Sequence, residues 1–248
     1  MVAARPTAIA TQPAPATVDG EDVLPRHVAI IMDGNRRWAR ARGLSEAEGH
    51  AAGVEAIRPI VRRAVERGIA VLSIYAFSRE NWARPDPEVR TLLELMGSTI
   101  RDETPELVKE GVRVRVLGRL EELPSATRAA IEEAIAASAE GTRLVLNVAF
   151  NYSGRTELVD AARRLVEAGV PASRIDEAAF EARLYTAGLP EPDLVIRTGG
   201  DQRLSNFLIW QAAYAEFYFC ERFWPDFDPA AFDLALEDFA SRSRRFGR

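Results

Sequence analysis

Cysteine, histidine and lysine are scarce in this chain of 248 residues. Its one cysteine, Cys220, cannot form an internal disulfide, which favours a reducing compartment such as the cytoplasm. Two histidines, His27 and His50, are too few for a zinc site built from histidine and cysteine. Because Lys109 is the one lysine, the basic residues are almost all arginine, which suits paired hydrogen bonds to phosphate or carboxylate.

Long apolar runs and net positive charge are missing as well. No apolar stretch approaches the ~20 residues that a membrane-spanning helix needs, and the first residues lack the basic and apolar segments of a secretory signal. A net charge of -5 argues against non-specific binding to nucleic acid. We therefore expect a cytoplasmic protein with no membrane span and no nucleic-acid partner.

Composition divides the chain into a tail and one domain. Residues 1–22 are rich in alanine, proline and threonine without periodicity, so they predict a disordered tail. The hydrophobic fraction of 47% gives residues 23–248 ample material for a single continuous core.

Apolar runs and helical patterns alternate along this domain. The predicted strands are residues 27–32, 69–76, 112–117, 144–150, 193–197 and 215–219. The predicted helices are one around Trp38, one over 50–67 with a kink at Pro59, and others over 87–109, 125–139, 154–168, 176–185 and 229–244. This order predicts a single α/β domain with a mainly parallel central sheet flanked by helices. Ligands of such sheets bind beyond the carboxyl ends of the strands.

The first strand ends at a candidate phosphate site. Gly34, Asn35 and Arg36 stand where a helix begins, and the free N–H groups of a helix start attract phosphate. Asp33 could approach a phosphate through a bridging Mg²⁺. The alternative is that Asp33 only caps the helix and that the arginines form a solvated face.

Two further strand ends carry polar groups. Ser78 and Asn81 stand beside Phe77 and Trp82, a mixture that suits a substrate with an apolar body and a polar head, or else a loop whose aromatic rings cover the core. After the strand at 193–197, the loop 197–206 holds two arginines, two glycines and hydroxyl groups, which predicts a second anion site or an ordinary surface turn.

Two anion sites and an acidic metal candidate predict an enzyme that acts on two phosphorylated or diphosphorylated substrates. The glycine signatures of dinucleotide-binding and P-loop proteins and the serine hydrolase elbow are absent from the sequence. The residues alone leave the substrate open.

A set of motifs resembles the cis-prenyltransferases, the family of undecaprenyl diphosphate synthase. The matching segments are residues 27–38, 49–50, 75–78, 80–82, 84–85, 151–152, 193–200, 203–207, 214–216, 224–227 and 244–247. They cover nearly everything after the tail and occur in the family's order.

The resemblance implies a Mg²⁺-dependent enzyme that adds isopentenyl diphosphate to an allylic diphosphate, farnesyl or geranyl diphosphate. Its product would be a Z-polyprenyl diphosphate, the precursor of a lipid carrier for cell-wall synthesis. It also implies a homodimer, a hydrophobic tunnel between sheet and helices for the growing chain, and peripheral contact with the inner face of the plasma membrane for product release.

The resemblance assigns roles to individual residues. Asp33 would hold Mg²⁺, with Glu216 and an arginine near the C-terminus completing the site from the partner subunit. Ser78 and Asn81 would lie near the departing proton, with Asn81 and Ser78 or diphosphate itself as the base, and Phe77 and Trp82 would border the prenyl groups. The remaining substrate-binding candidates are Gly34, Asn35, Arg36, Arg37 and His50 for the allylic diphosphate, Arg197, Arg203 and Ser205 for isopentenyl diphosphate, and Trp38 and Arg84 without an assigned substrate.

Some positions depart from the family's pattern. Glu46 stands where the family generally has an arginine aimed at phosphate. Ala51 stands where the family usually has a lysine or arginine, and Asp201 where it usually has a glutamate. Either the Glu46 segment is displaced, or allylic affinity is weaker, or the first substrate differs. Ala76 leaves the tunnel entrance open, whereas Phe150 could stop growth, and we expect a medium to long product.

Three other functions compete with chain elongation. They are an irregular lavandulyl-type synthase, a non-catalytic partner subunit of a cis-prenyltransferase, and a binding module without catalysis. The intact segments 80–82 and 203–206 argue against the irregular synthase, and the presence of Asp33, Ser78 and Asn81 argues against the partner subunit.

Overall fold

The computed structural model describes residues 24–242, and these form one parallel sheet with helices on both faces. The six strands lie in the order β3-β4-β2-β1-β5-β6, and every pair is parallel. Their bounds are β1 His27–Ile31, β2 Val71–Ser78, β3 Val112–Leu117, β4 Leu144–Tyr152, β5 Leu194–Arg197 and β6 Glu216–Phe219. The predicted fold class is confirmed. The predicted tail at 1–22 and the motif at 244–247 lie outside the described residues.

Eight α-helices lie between and after the strands of the described segment. They are α1 Asn35–Ala41, α2 Glu46–Glu55, α3 Ile57–Glu66, α4 Asp86–Lys109, α5 Ser125–Ala137, α6 Gly154–Glu167, α7 Glu177–Glu181 and α8 Pro229–Ser241. The predicted kinked helix over 50–67 is wrong in detail, because the chain breaks at Ala56 into α2 and α3. Pro59 lies in the first turn of α3, where its missing N–H removes no hydrogen bond.

The central strand β1 is buried on both faces of the sheet. Val28 and Ile30 pack on the face that carries α3 and α8, and Ala29 and Ile31 pack on the opposite face against residues 207–212. All five residues of β1 are buried. A strand covered on both faces shows continuous rather than alternating hydrophobicity, which is why its apolar run could be recognised in the sequence.

A buried polar chain crosses three neighbouring strands. Ser73 Oγ accepts a hydrogen bond from Asn147 Nδ2 at 2.8 Å and lies 2.7 Å from His27 Nε2. His27 Nδ1 lies 2.8 Å from the Pro190 carbonyl, which can only accept, so the proton is on Nδ1 and Ser73 donates to Nε2. Burial lowers the pKa of His27 to about 4, so its ring is neutral near pH 7.

Candidate active site

The predicted site residues follow three neighbouring strands of the sheet. Asp33 lies two residues after β1, Ser78 ends β2 and Arg197 ends β5. Because β2, β1 and β5 are adjacent and parallel, their carboxyl ends meet at one edge of the sheet. The expected location of the chemistry is therefore where the loops 33–38, 78–84 and 197–206 converge.

A cavity of about 390 Å³ opens at the end of β1. It is lined by Met32, Asp33, Gly34, Asn35, Arg36, Arg37, Arg40, His50 and Arg84. The structure therefore brings together Asp33, all five residues proposed for the allylic diphosphate, and Arg84, a substrate-binding candidate without an assigned substrate. Arg40 is a further cation at this cavity that the sequence analysis missed, although its place one helical turn after Arg36 was a signal for it.

Trp38 is a further substrate-binding candidate, and the structure places it away from the cavity. Its indole Nε1 donates to Asp226 Oδ1 at 2.8 Å, and the guanidinium of Arg42 stacks 4.4 Å from its ring. These contacts join α1 to the loop before α8, so the described contacts of Trp38 are structural.

Helix α2 is held against α1 through two glycines. A Cβ built on Gly49 would lie 2.5 Å from the Asn35 carbonyl oxygen, and one built on Gly53 would lie 2.6 Å from Asn35 Nδ2. Only glycine permits this approach. It fixes the Asn35 side chain beneath the cavity, and Asn35 Oδ1 is buried without a hydrogen-bond partner in the structure.

Arg197 joins the two predicted anion sites. Its side chain is 4% exposed, Nη2 donates to Asp33 Oδ2 at 2.9 Å, and Nη1 donates to Ser205 Oγ at 2.7 Å. One guanidinium therefore contacts the metal candidate after β1 and the hydroxyl of the loop after β5. The sequence placed Arg197 in the second site alone.

Charge fixes the ionisation of Asp33. Burial alone would raise the pKa of Asp33. The hydrogen bonds and charges of Arg197 and of Arg37, which lies 3.2 Å away, lower it by more, so the pKa falls below its ordinary value. The carboxylate is therefore ionised near neutral pH. Asp201 extends this network, because Arg203 Nη2 lies 2.6 Å from its Oδ2 and Arg197 Nη2 lies 3.4 Å away.

Thr198 fastens the two loops to each other. Its Oγ1 accepts from the backbone N–H of Asp33 at 2.9 Å and donates to the Asp33 carbonyl at 2.8 Å. Thr198 was not among the predicted site residues, although it directly follows Arg197 in the loop that was singled out.

The loop after β2 is a short turn closed by its own side chains. Asn81 Oδ1 accepts from the Ser78 N–H at 3.0 Å, and the Ser78 side chain caps the Asn81 N–H in return. The Trp82 ring stands edge-on to Phe77 at 5.7 Å and is 40% exposed. Ser78, Asn81, Phe77 and Trp82 therefore form one unit, as their spacing suggested.

Two asparagines connect this turn to other loops, and the sequence analysis gave neither of them a role of its own. Asn151 Oδ1 accepts from Trp82 Nε1 at 2.8 Å. Asn206 Nδ2 donates to Glu80 Oε1 at 2.8 Å and to Ser153 Oγ at 2.6 Å. Both asparagines have positive φ, an uncommon conformation that asparagine tolerates.

His50 and Arg84 share one carboxylate, Glu88. Arg84 Nη1 lies 3.0 Å from Glu88 Oε1, and His50 Nε2 lies 3.5 Å from the same oxygen, too far to satisfy a buried ring nitrogen. Burial first, and the charge of Arg84 second, lower the pKa of His50, while Glu88 opposes the shift. Glu88 itself lies in the first turn of α4 and was not predicted.

Glu46 is paired with two arginines that line the cavity. It is the first residue of α2, which packs on α1, and its Oε1 lies 2.8 Å from Arg36 Nη2 and 3.8 Å from Arg40 Nη2. The three explanations offered for this departure from the family's pattern stay predictions.

Glu216 does not reach Asp33 within one chain. The pairing of β5 with both neighbours sets Glu216 level with Leu194 and Val28, at the amino end of the sheet, whereas Asp33 follows the carboxyl end of β1. Glu216 Oε2 is paired with Arg242 Nη1 at 2.9 Å. A metal site that both carboxylates share within one chain is thus incompatible with the fold, and a contribution of Glu216 to a partner subunit stays a prediction.

The acidic groups suit a metal that is held jointly with a ligand. Within residues 24–242 there is no cluster of three or more histidine, cysteine, aspartate or glutamate side chains that could hold an ion. Asp33 is partly exposed to the cavity, and Mg²⁺ is commonly held by one or two carboxylates plus substrate phosphates. The donor set therefore fits Mg²⁺ bound with a phosphate, and does not fit an ion enclosed by protein.

A narrow apolar cavity of about 80 Å³ lies between the sheet and helices α3, α4 and α5. Its apolar walls include Val61, Ile74, Met96, Ile100, Ile131, Val148 and Phe150. Arg58 and Glu103 also line it and link α3 to α4, with Arg58 Nε 2.8 Å from Glu103 Oε2. The cavity occupies the place expected for the hydrophobic tunnel, and Phe150 lies in its wall.

These features define a class of protein: a single parallel sheet whose strand ends carry two adjoining clusters of arginine, with an apolar cavity between the sheet and its helices. The Prenyltransf family model, which describes undecaprenyl diphosphate synthases, matches residues 31–247. The chain therefore belongs to the undecaprenyl diphosphate synthase family of prenyltransferases. In the described part of the chain, no helix is both long and apolar enough to cross a membrane.

Individual relatives agree with this family. The chain is 52% identical over 227 residues to an isoprenyl transferase of Brucella abortus, covering 90% of this chain and 89% of the relative. It is 48% identical over 229 residues to the (2E,6E)-farnesyl-diphosphate specific ditrans,polycis-undecaprenyl-diphosphate synthase of Pseudomonas aeruginosa, covering 91% of both. The crystal structure of lavandulyl diphosphate synthase from Lavandula x intermedia with dimethylallyl diphosphate is similar with a TM-score of 0.89 and 39% identity, covering 92% of this chain and all of that one.

Proposed function

We propose that this chain is a Mg²⁺-dependent cis-prenyltransferase that condenses isopentenyl diphosphate with an allylic diphosphate, farnesyl or geranyl diphosphate, to give a Z-polyprenyl diphosphate. The observation that carries the proposal is Arg197, which contacts both Asp33 in the first anion site and Ser205 in the second. Two diphosphates held on either side of one guanidinium would have their carbon chains side by side, as a condensation requires.

The residues divide the work of this reaction. The allylic carbon–oxygen bond breaks, a carbon–carbon bond forms to isopentenyl diphosphate, and one proton is lost. Arg36, Arg37 and Arg84 would stabilise the departing diphosphate anion, while Arg203 and Ser205 would hold the second diphosphate. Asp33 would hold Mg²⁺, which when bound neutralises charge on the diphosphate.

The proton has no strong base among the predicted catalytic residues. Ser78 and Asn81 are bonded to each other at the end of β2, and burial lowers the pKa of His50, which makes its ring a weaker base. We propose that Asn81 with Ser78 orients the reacting carbon and that the proton passes to them or to the released diphosphate, which is itself a base.

The wider setting belongs to the same proposal. The enzyme would act as a homodimer in the cytoplasm, with Glu216 serving the partner's site, and would contact the inner face of the plasma membrane to release its product. That product would be the precursor of a lipid carrier for cell-wall synthesis. The P. aeruginosa relative is an undecaprenyl-diphosphate synthase, which supports a polyprenyl diphosphate as the product.

The test is product analysis on the purified protein. It is incubated with Mg²⁺, labelled isopentenyl diphosphate and, separately, dimethylallyl, geranyl or farnesyl diphosphate, with Asp33→Ala as the control. We expect a ladder of Z-prenyl products that is lost in the variant and when Mg²⁺ is removed by a chelator. Absence of incorporation from every starter would refute the proposal and favour a non-catalytic partner subunit.

Irregular condensation is the second candidate, because of the close structural match to lavandulyl diphosphate synthase. Such an enzyme would join two dimethylallyl diphosphate molecules without consuming isopentenyl diphosphate. The segments 80–82 and 203–206 form ordered, cross-linked loops here, since Asn206 bonds to Glu80, and this favours regular elongation. A branched ten-carbon product from dimethylallyl diphosphate alone would reverse that preference.

A further inference from the structure

The cations of the allylic cavity are already paired with carboxylates of the chain itself. Arg37 lies 3.2 Å from Asp33, and Arg84 lies 3.0 Å from Glu88. Arg36 and Arg40 both face Glu46, at 2.8 and 3.8 Å. A diphosphate that enters the cavity must therefore compete with these carboxylates for the same guanidinium groups.

Glu46 differs from the other two carboxylates in its position. Asp33 lines the cavity and is the metal candidate, and Glu88 also faces the buried ring of His50. Glu46 draws Arg36 and Arg40 toward the start of α2, although both arginines line the cavity. The hydrogen bond from Arg36 holds the pKa of Glu46 below its usual range, so the competing group is ionised at neutral pH.

The start of helix α2 does not depend on Glu46. Ser45 is the N-cap, and Glu48 completes a capping box, with its Oε2 accepting from the Ser45 N–H at 2.8 Å. A carboxylate at the first helical position interacts favourably with the helix dipole, which would be a sufficient structural role. The contact with Arg36 adds a second role that is specific to this site.

We infer that Glu46 is an internal competitor of the allylic diphosphate: it occupies Arg36 in the free enzyme and must release it when substrate binds. The inference rests on the proposed function and adds a determinant of substrate affinity to it. A carboxylate that only positioned Arg36 for the substrate would have the opposite effect, because its removal would weaken binding. Whether removal of the Glu46 carboxylate strengthens or weakens diphosphate binding therefore decides between the two roles.

The experiment compares Glu46→Gln with the wild type and with Glu55→Gln, a matched change of an exposed glutamate at the other end of α2. Binding of inorganic pyrophosphate and of farnesyl diphosphate is measured by calorimetry, and KM for farnesyl diphosphate is measured in the elongation assay. Since exposed ion pairs are weak, we expect Glu46→Gln to lower both dissociation constants and KM roughly 3- to 10-fold. Glu55→Gln should behave as the wild type, and KM for isopentenyl diphosphate should not change.

Ionic strength provides a second test, because a purely structural role of Glu46 would not make the difference in pyrophosphate affinity depend on salt. The gap in pyrophosphate affinity between wild type and Glu46→Gln should shrink as ionic strength rises from about 0.05 to 0.5 M, because screening weakens the Glu46 charge. Unchanged or weaker binding by Glu46→Gln would overturn the inference while leaving the proposed function intact. If the wild type bound neither pyrophosphate nor farnesyl diphosphate, both would fail.

Discussion

At the scale of single residues, Arg197 is the group on which most of the site depends. It is nearly fully buried and donates to Asp33 through one nitrogen and to Ser205 through the other. Lysine carries the same charge but concentrates it in one ammonium group, so it cannot reproduce a fork that spans two loops.

We predict that Arg197→Lys lowers kcat/KM by about 100-fold or more and raises KM for both substrates. Steady-state kinetics with each substrate varied in turn is the measurement. Arg203→Lys is the matched control, because the Arg203 side chain is exposed and its ion pair is with Asp201. This variant should raise KM for isopentenyl diphosphate only. A change confined to one substrate in Arg197→Lys would show that the two sites do not share this residue.

The contacts between loops that sequence reasoning missed have a common physical reason. Arg197 and Asp33 are 164 positions apart, and Asn206 and Glu80 are 126 apart, so each pair exists only because of how the strands are ordered in the sheet. Residue type and local spacing identified the loops as anion sites. They could not show that a residue of one loop bonds to another loop, since the pairing of β1 with β5 is not encoded in either segment alone.

At the scale of secondary-structure elements, the contact between α1 and α2 positions Asn35, which lines the cavity at the end of β1. Gly53 faces the Asn35 side chain so closely that a methyl group would displace it, and its carbonyl accepts from Trp224 Nε1 at 2.6 Å. Overpacking of this kind costs about 1–3 kcal/mol.

We predict that Gly53→Ala lowers Tm by roughly 5 °C and raises KM for the allylic diphosphate, leaving KM for isopentenyl diphosphate unchanged. Gly97→Ala is the matched control in a helix interior. The nearest atom to a Cβ there is Arg101 Nη1 at 3.9 Å, so alanine should raise Tm slightly through its higher helix propensity. Thermal melts and kinetics of the two variants test this, and equal effects of both alanines would contradict it.

The polar chain through β1, β2 and β4 makes a prediction about pH. Burial lowers the pKa of His27 to about 4 in the folded state, whereas an unfolded histidine titrates near 6.5. Between these values the unfolded chain binds a proton that the folded chain excludes. The contribution of His27 to the free energy of unfolding is therefore complete above about pH 6.5 and is lost as the pH falls toward 4, by roughly 3 kcal/mol in total.

Thermal melts between pH 7.5 and 4.5 measure this loss, and His27→Gln isolates it from other groups. The pKa of His50 is lowered too, and that of Glu157 is raised by burial, so the wild-type slope alone is a mixture. We expect the variant to be less stable than the wild type at pH 7.5 but to lose less stability on acidification. Parallel pH profiles for the two proteins would mean that the ring of His27 is not held neutral by the fold.

Sequence patterns predicted these elements well where burial decides their type. All six strands were found to within two residues. The central strand β1 and its neighbour β5 are buried along their whole length, and a strand covered on both faces forms an unbroken apolar run. The edge strand β3 shows instead the alternation of a half-buried strand. The division of α2 from α3 at Ala56 was missed, since neither glycine nor proline marks that position. Helix α7 also ends at Glu181 rather than at Tyr185, whose N–H donates instead to the buried carboxylate of Glu157.

At the scale of the whole molecule, the anion sites and the apolar cavity are linked through the β2 loop. The Phe77 ring lies 5.7 Å from Trp82 at the site and 5.4 Å from Phe150 in the cavity wall. The apolar cavity measures about 80 Å³, against about 390 Å³ for the cavity at the end of β1, so we expect a growing prenyl chain to enlarge it by moving side chains of α3, α4 and α5. Product length should therefore respond to the residues that resist this movement.

We predict that Phe150→Leu shifts the products to longer chains, since the smaller side chain removes bulk from the wall while keeping it apolar. Phe150→Ala would be a poorer test, because truncating a buried phenylalanine costs about 3–5 kcal/mol. Products from farnesyl diphosphate and excess isopentenyl diphosphate are separated by mass and compared with the wild type at equal turnover. Leu107→Met, a volume-conserving change elsewhere in the same wall, is the control and should leave the distribution unchanged. An identical distribution in Phe150→Leu would assign Phe150 to core packing alone and move the limit on chain length to another part of the cavity.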